Sequence, residues 1–174
     1  DDCDFENNEN DNGGAIKVTT SSELTAINCR FNGNKASEFG GSIYINDIGN
    51  KGVAHNITGC DFQNCEAKEG SFIYSMSSLL KLTFCNFHDN LNNNYIYIEM
   101  ENNEPVIDYC EFINNAGSLV LKITKGFTIT NSLFSKTRAN TRGFLNTEKL
   151  GDNSECNFEN VTFEFASDFT ALDI

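Results

Sequence analysis

The chain has 174 residues and a net charge of −13, from 12 basic and 25 acidic side chains, and only 39% of it is apolar. That balance argues against nucleic acid or an anionic membrane surface as a partner, because phosphate contacts need clustered Lys and Arg. No apolar run approaches the ~20 residues that span a bilayer, so no direct membrane span is expected.

The first element is Cys3-Asp4-Phe5-Glu6-Asn7-Asn8, which leads to Gly13-Gly14-Ala15-Ile16. The same order returns as Cys29-Arg30-Phe31 with Gly40-Gly41-Ser42-Ile43, and as Cys60-Asp61-Phe62 with Gly70-Ser71-Phe72-Ile73. Cys85-Asn86-Phe87, Cys110-Glu111-Phe112, Ser132-Leu133-Phe134 and Cys156-Asn157-Phe158 continue the series, with Ser132 in place of Cys. Self-similarity at a spacing of about 25 residues marks stacked coils. The starts at 3, 29, 60, 85, 110, 132 and 156 predict about seven coils in a single domain, 1–174.

Within each unit the pattern is short and period-2, with no helical stripe, so the fold class is all-β. In the first strand Cys and Phe point inward and the residue between them outward. This gives a core ladder of Cys3, Cys29, Cys60, Cys85, Cys110 and Cys156 beside Phe5, Phe31, Phe62, Phe87, Phe112, Phe134 and Phe158. The second strand follows the Gly pair, with Ile16 and Val18, Ile43 and Ile45, Ile96 and Ile98, and Leu119 and Leu121 inward. In the third unit the pattern leaves Phe72 and Ile73 as alternatives.

The third strand carries Leu80 and Leu82 ahead of Cys85, and Phe127 and Ile129 ahead of Ser132. Their offset from Cys is odd, so the chain must bend just before each Cys for both sets to face inward. Asn28, Gly59 and Asn131 sit at that corner, and both residue types tolerate sharp turns. Three short strands per coil describe a right-handed parallel β-helix, a rod on the order of 30–35 Å long at ~4.8 Å per coil.

Phe-x-x-Asn occurs at Phe5–Asn8, Phe31–Asn34, Phe87–Asn90 and Phe112–Asn115, and Gly-Gly-Ala-Ile at Gly13–Ile16. This resembles the repeats of polymorphic membrane proteins, known from chlamydial autotransporter adhesins and from surface proteins of some protists. The resemblance implies a right-handed β-helix on the cell surface, used in adhesion. In three further units Cys65, Thr137 and Val161 stand where that pattern has Asn. An Asn at one turn of successive coils can satisfy backbone groups that a bare corner would leave unpaired.

Cysteines about 25 residues apart match no zinc spacing. Ser132 in the same column argues against a required disulfide, so the column reads as reduced core packing, with Cys65 outside it and open to exposure. Asn56-Ile57-Thr58 and Asn160-Val161-Thr162 are acceptors for N-glycosylation on a secretory route. Lys17, Tyr44 and Tyr97, with Tyr74 depending on register, lie beside the inward residues of the second strand and form a candidate binding face.

No catalytic, cofactor-binding or metal residue is assigned. His55 and His88 are isolated in sequence, and the carboxylates Asp61 and Glu111 share a column that Arg30 and Leu133 interrupt. The expected function is therefore non-catalytic, extracellular or cell-surface, in adhesion or as structural material. Its partners would be a host-cell or glycan surface, or copies of itself end to end. Both ends of the sequence fall inside a repeat, and solenoids need polar caps, so it reads as a segment of a longer protein or one whose ends another chain covers. Two alternatives stand beside this: a subunit of an extracellular filament or coat, and a polysaccharide lyase or hydrolase of pectin-lyase-like fold.

Overall fold

In a computed structural model, the chain is described over residues 1–19, 22–47, 53–76, 79–91, 94–101, 104–135, 145–148, 150–152, 154–164 and 172–173. These residues form a parallel β-solenoid without helix. Three sheets run along it, two of seven strands and one of six.

The first sheet stacks Asp4–Glu6, Arg30–Asn32, Asp61–Gln63, Asn86–His88, Glu111–Ile113, Leu133–Ser135 and Thr162–Glu164. Every strand places Phe opposite Phe in the next. The rings of Phe5, Phe31, Phe62, Phe87, Phe112, Phe134 and Phe163 pile face to face, with successive centroids 4.5–5.1 Å apart. The spacing is one coil rise, so the stack follows directly from the strand spacing. Each enclosed ring contributes roughly 1.5–3 kcal/mol of transfer free energy.

The ladder ends in Phe163, not Phe158. Cys156–Glu159 belongs to the third sheet, where Cys156 pairs with Phe127 and Phe158 with Ile129. The seventh Cys-x-Phe position is filled by Val161-Thr162-Phe163, with Thr162 opposite Leu133. Cys156 and Phe158 therefore leave the ladder. Val161 likewise stands at the Cys position and not in the Asn position assigned to it, while Thr137 lies outside the described residues.

The second sheet contains Ile16–Thr19, Ile43–Asn46, Ile73–Met76, Ile96–Met100, Leu119–Ile123, Leu145–Glu148 and Leu172–Asp173. Its register settles the third unit: Ile73 stacks between Ile43 and Ile96, which sets Tyr74 between Tyr44 and Tyr97. Phe72 is buried as well, tilted against the rings of Phe62 and Phe87. Entry to this sheet needs glycine, because a Cβ on Gly41 would lie 2.2 Å from the Ser71 carbonyl oxygen. The third sheet contains Thr25–Ile27, Ala54–Thr58, Leu79–Thr83, Val106–Asp108, Phe127–Thr130 and Cys156–Glu159. A fourth, two-stranded sheet pairs Glu9–Asn12 with Lys35–Phe39, an addition to the three strands per coil expected from the pattern.

The corner before each rung of the first sheet is left-handed. Asp2, Asn28, Gly59, Phe84, Tyr109, Asn131 and Asn160 all have φ between 49° and 64°. Left-handed backbone costs an ordinary L-residue roughly 1–2 kcal/mol, and Asn, Asp and Gly much less. A second left-handed position follows Phe5, Phe31, Phe62, Phe87 and Phe112 by two residues, at Asn7, Gly33, Asn64, Asp89 and Asn114.

That second turn aims the next side chain inward, which explains Phe-x-x-Asn. Asn34 Oδ1 accepts from the Asn8 backbone N–H at 3.0 Å, and its Nδ2 donates to the Phe5 carbonyl at 2.9 Å. Asn115 repeats both bonds three coils further on, to the Asn90 N–H at 3.0 Å and the Phe87 carbonyl at 2.7 Å. Cys65 occupies the same site and is 1% exposed, so the odd thiol is a core residue and not a surface one. Its Sγ reaches the Gln63 carbonyl at 3.1 Å and the Ser42 hydroxyl at 3.0 Å.

Candidate binding faces

The aromatic stripe exists, in the order Lys17, Tyr44, Tyr74, Tyr97 and then Val120. Tyr74 and Tyr97 stack at 4.8 Å with their planes 3° apart, and Phe39 packs on Tyr74 at 4.6 Å. Tyr74 and Tyr97 are only 7% and 9% exposed and, with Val120, form a second small core under Phe39, Tyr44 and Met76. Burial pushes both phenols up. Their ring faces are spent on each other, so of the four stripe residues only exposed Lys17 and half-buried Tyr44 face solvent. The Lys17 ammonium lies 5.9 Å from the Tyr44 ring centroid, a cation–π pair.

On the outside of the first sheet, Arg30, Asp61, Asn86 and Glu111 follow one another in register. Arg30 is held by Glu6 at 2.9 Å. His88 bridges two carboxylates, with Nδ1 2.9 Å from Asp89 Oδ2 and Nε2 3.1 Å from Asp61 Oδ1. Partial burial alone would lower its pKa, but the hydrogen bond to Asp89 and the charge of Asp61 outweigh it, so the imidazole is raised above its usual value. Asp89 is lowered by the same bond and by Asn114. The hollow beside them, about 230 Å³, is lined by Asn86, Phe87, His88, Asp89, Glu111 and Ile113.

His55, polar at an inward position opposite Leu80, is wholly buried. Its Nδ1 accepts from the Leu24 N–H at 3.2 Å, which leaves Nε2 to donate to buried Asp47 at 3.1 Å. The two ends of the segment 47–55 are thereby tied together. In sequence His55 stands isolated because its partner, Asp47, lies beyond the end of the Ile43–Asn46 strand, outside any local repeat pattern.

Phe84 and Tyr109 hold the left-handed corner just before Cys85 and Cys110, in addition to the expected corner residues Asn28, Gly59 and Asn131. Their rings stack at 4.9 Å with planes 13° apart, and they are 58% and 50% exposed. Among the described residues only Leu91 joins them as an exposed large hydrophobic.

The cysteine column is buried at Cys29, Cys60, Cys85 and Cys110, with Cys3 exposed, and all seven thiols are free. Each donates locally, Cys60 to the Thr58 carbonyl at 3.4 Å and Cys85 to the Thr83 carbonyl at 3.3 Å. Ser132 fits the column by the same bond, to the Thr130 carbonyl at 2.7 Å. Of the two glycosylation candidates, Asn160 stands exposed on a corner, with Nδ2 donating to Asn131 Oδ1 at 2.9 Å. Asn56 is half-buried in mid-strand between Thr25 and Lys81. Among the described residues no group of three His, Cys, Asp or Glu could hold a metal ion, and no helix is long and apolar enough to cross a membrane.

No curated protein and no solved structure matches the chain. Residues 28–46 match the family model of the Chlamydia polymorphic membrane protein repeat. The matched segment runs from the left-handed corner at Asn28, through the Phe31 rung and buried Asn34, to the end of the Ile43–Asn46 strand. The chain is thus a parallel β-solenoid that carries a repeat of the polymorphic membrane protein type.

Proposed function

We propose that this chain is a non-catalytic surface β-solenoid, extracellular and acting by contact, in adhesion or as structural material. The observation that carries the reading is the unbroken register of the first sheet, which sets Arg30, Asp61, Asn86 and Glu111 one coil apart on a single outward column. A rigid scaffold that repeats its surface at fixed spacing lets weak contacts act together. The match to a polymorphic membrane protein repeat supports a surface-associated role. The histidines support contact over turnover: His55 is enclosed with Asp47, and both ring nitrogens of His88 are engaged by carboxylates. Neither stands ready to take a proton from a substrate.

Beads coated with the purified chain are expected to adhere to cultured epithelial cells above albumin-coated beads, and soluble chain should compete. Adhesion at the albumin level would overturn the contact reading. Release of unsaturated or reducing ends from an acidic polysaccharide, abolished by Asp61→Asn or Glu111→Gln, would overturn the non-catalytic one.

A further inference from the structure

We propose that Phe84 and Tyr109 form a docking site for an arginine side chain of a basic partner protein. Two observations point to a ligand. Among the described residues the rings are the exposed large aromatics, stacked on each other at 4.9 Å. They also stand where the coil favours something else, since the same left-handed corner is Asp, Asn or Gly in the other five coils. Nothing in the packing asks for a ring there, because the corner side chain points away from the core.

Charge decides the occupant. The outward residues that flank the corner in the three coils around the pair are Thr58 and Asp61, Thr83 and Asn86, and Asp108 and Glu111. Three of these six are carboxylates and none is a cation. Of the neighbouring cationic groups, Arg30 is held by Glu6, His88 is held between Asp61 and Asp89, and Lys81 lies one position further along its strand face. The chain as a whole carries −13. A guanidinium is flat, stacks on an aromatic face and pairs with a carboxylate in the same pose, which an ammonium cannot do. On the Gly59 side of Phe84 the stack offers no further ring. There Asn28 Oδ1 fills the space a Gly59 Cβ would take, at 2.5 Å, and presents an acceptor at the rim. A guanidinium laid on Phe84 would find that amide oxygen as a hydrogen-bond acceptor, with the negative charge of Asp61, which also receives His88 Nε2, on the same flank.

This deepens the contact reading and rests on it only for its biological setting. The test contains no cells, so its failure and the failure of bead adhesion are separate results. Fluorescein-labelled (Gly-Arg)4 and (Gly-Lys)4 peptides and a labelled neutral hexasaccharide are titrated by anisotropy against the wild-type chain and the Phe84→Asn/Tyr109→Asn double variant. Asn is the residue the corner already holds at 28, 131 and 160, and the exchange leaves the charge unchanged. The expected result is a Kd for the arginine peptide about tenfold weaker in the variant, with the lysine peptide already several-fold weaker on wild type. Equal affinity of variant and wild type for the arginine peptide overturns the site. Equal affinity of wild type for the two peptides overturns guanidinium stacking. Ring-dependent binding of the hexasaccharide without the peptide overturns the occupant and makes it a glycan. Should the double variant misfold by circular dichroism, the same comparison is read from Phe84→Leu, which removes the aromatic face alone.

Discussion

Replacing Asn115 by Ala tests the physical reading of the Phe-x-x-Asn motif. Its amide satisfies two backbone groups of the preceding coil, the Asn90 N–H at 3.0 Å and the Phe87 carbonyl at 2.7 Å, in a site closed to solvent. An unsatisfied buried group costs ~1–3 kcal/mol, so two of them set a loss of about 2–6 kcal/mol. Against a total stability of roughly 5–15 kcal/mol this is a large fraction. Asn115→Cys should lie between wild type and Ala, because Cys65 already occupies the equivalent site and its thiol points at the Phe31 carbonyl, at 3.8 Å. Asn115→Asp should be the worst, since it buries a charge and faces the Phe87 carbonyl with a second acceptor. Urea unfolding followed by far-ultraviolet circular dichroism measures all three, and an unchanged m-value keeps the comparison valid. A loss under about 0.5 kcal/mol in Ala, or a Cys variant no better than Ala, would refute the claim that the amide bridges coils.

Three more outcomes follow from single features. Ser75 points inward between Ile45 and Ile98, and its Oγ is buried without a hydrogen-bond partner, so Ser75→Val should raise stability by ~1–3 kcal/mol in the same urea assay. His88 should titrate by NMR above 6.5, and its midpoint should fall in Asp89→Asn; an unmoved midpoint would dissolve the bridge. Because the folded pKa of His88 is raised, its contribution is full below the unfolded value and fades as pH rises through the folded one. For Asp89, which is lowered, the contribution is present above 3.8 and is lost as pH falls through the folded value. Maleimide at about pH 8 should modify Cys3 at once and spare Cys65 and Cys85 until the chain unfolds. Cys85 is pushed up to about 12 by its hydrogen bond with the Cys110 thiol and by burial, so prompt labelling there would contradict the column.

The repeat was legible because its inward residues face one another one coil apart, so a constraint on Phe31 is the same constraint on Phe62 and Phe87. It failed at Cys156, where the tripeptide Cys-Asn-Phe copies the motif but Glu155 precedes it and no left-handed corner follows from that. Five residues on, Asn160 supplies the corner and Val161 and Phe163 take the rung. The turn thus carries more information about register than the thiol does. The tyrosine stripe was legible as a column, but its burial was not, because Phe39 and Met76 come to it from strand segments whose period gives no sign of an outer layer. The His55–Asp47 bond was invisible for a like reason: it ties a strand residue to one just past the end of the Ile43–Asn46 strand, and no local spacing encodes that.

The corner also separates a residue kept for folding from one kept for use. Its conformation belongs to the coil, since φ is nearly the same at Gly59, Phe84, Tyr109 and Asn131. An aromatic residue there bears a strain of roughly 1–2 kcal/mol. Stacking returns about 0.5–1.5 kcal/mol for the pair. Phe84→Asn gives up that stack and relieves one strained position, so its stability should fall within about 1 kcal/mol of wild type, on either side. Thermal and urea unfolding of the single variant measure the balance. A loss well beyond about 1.5 kcal/mol would mean that the ring pair holds neighbouring coils together, and the site would then be structural. A neutral or stabilising result leaves the rings with no folding reason to occupy a position that the other coils give to Asn, Asp and Gly.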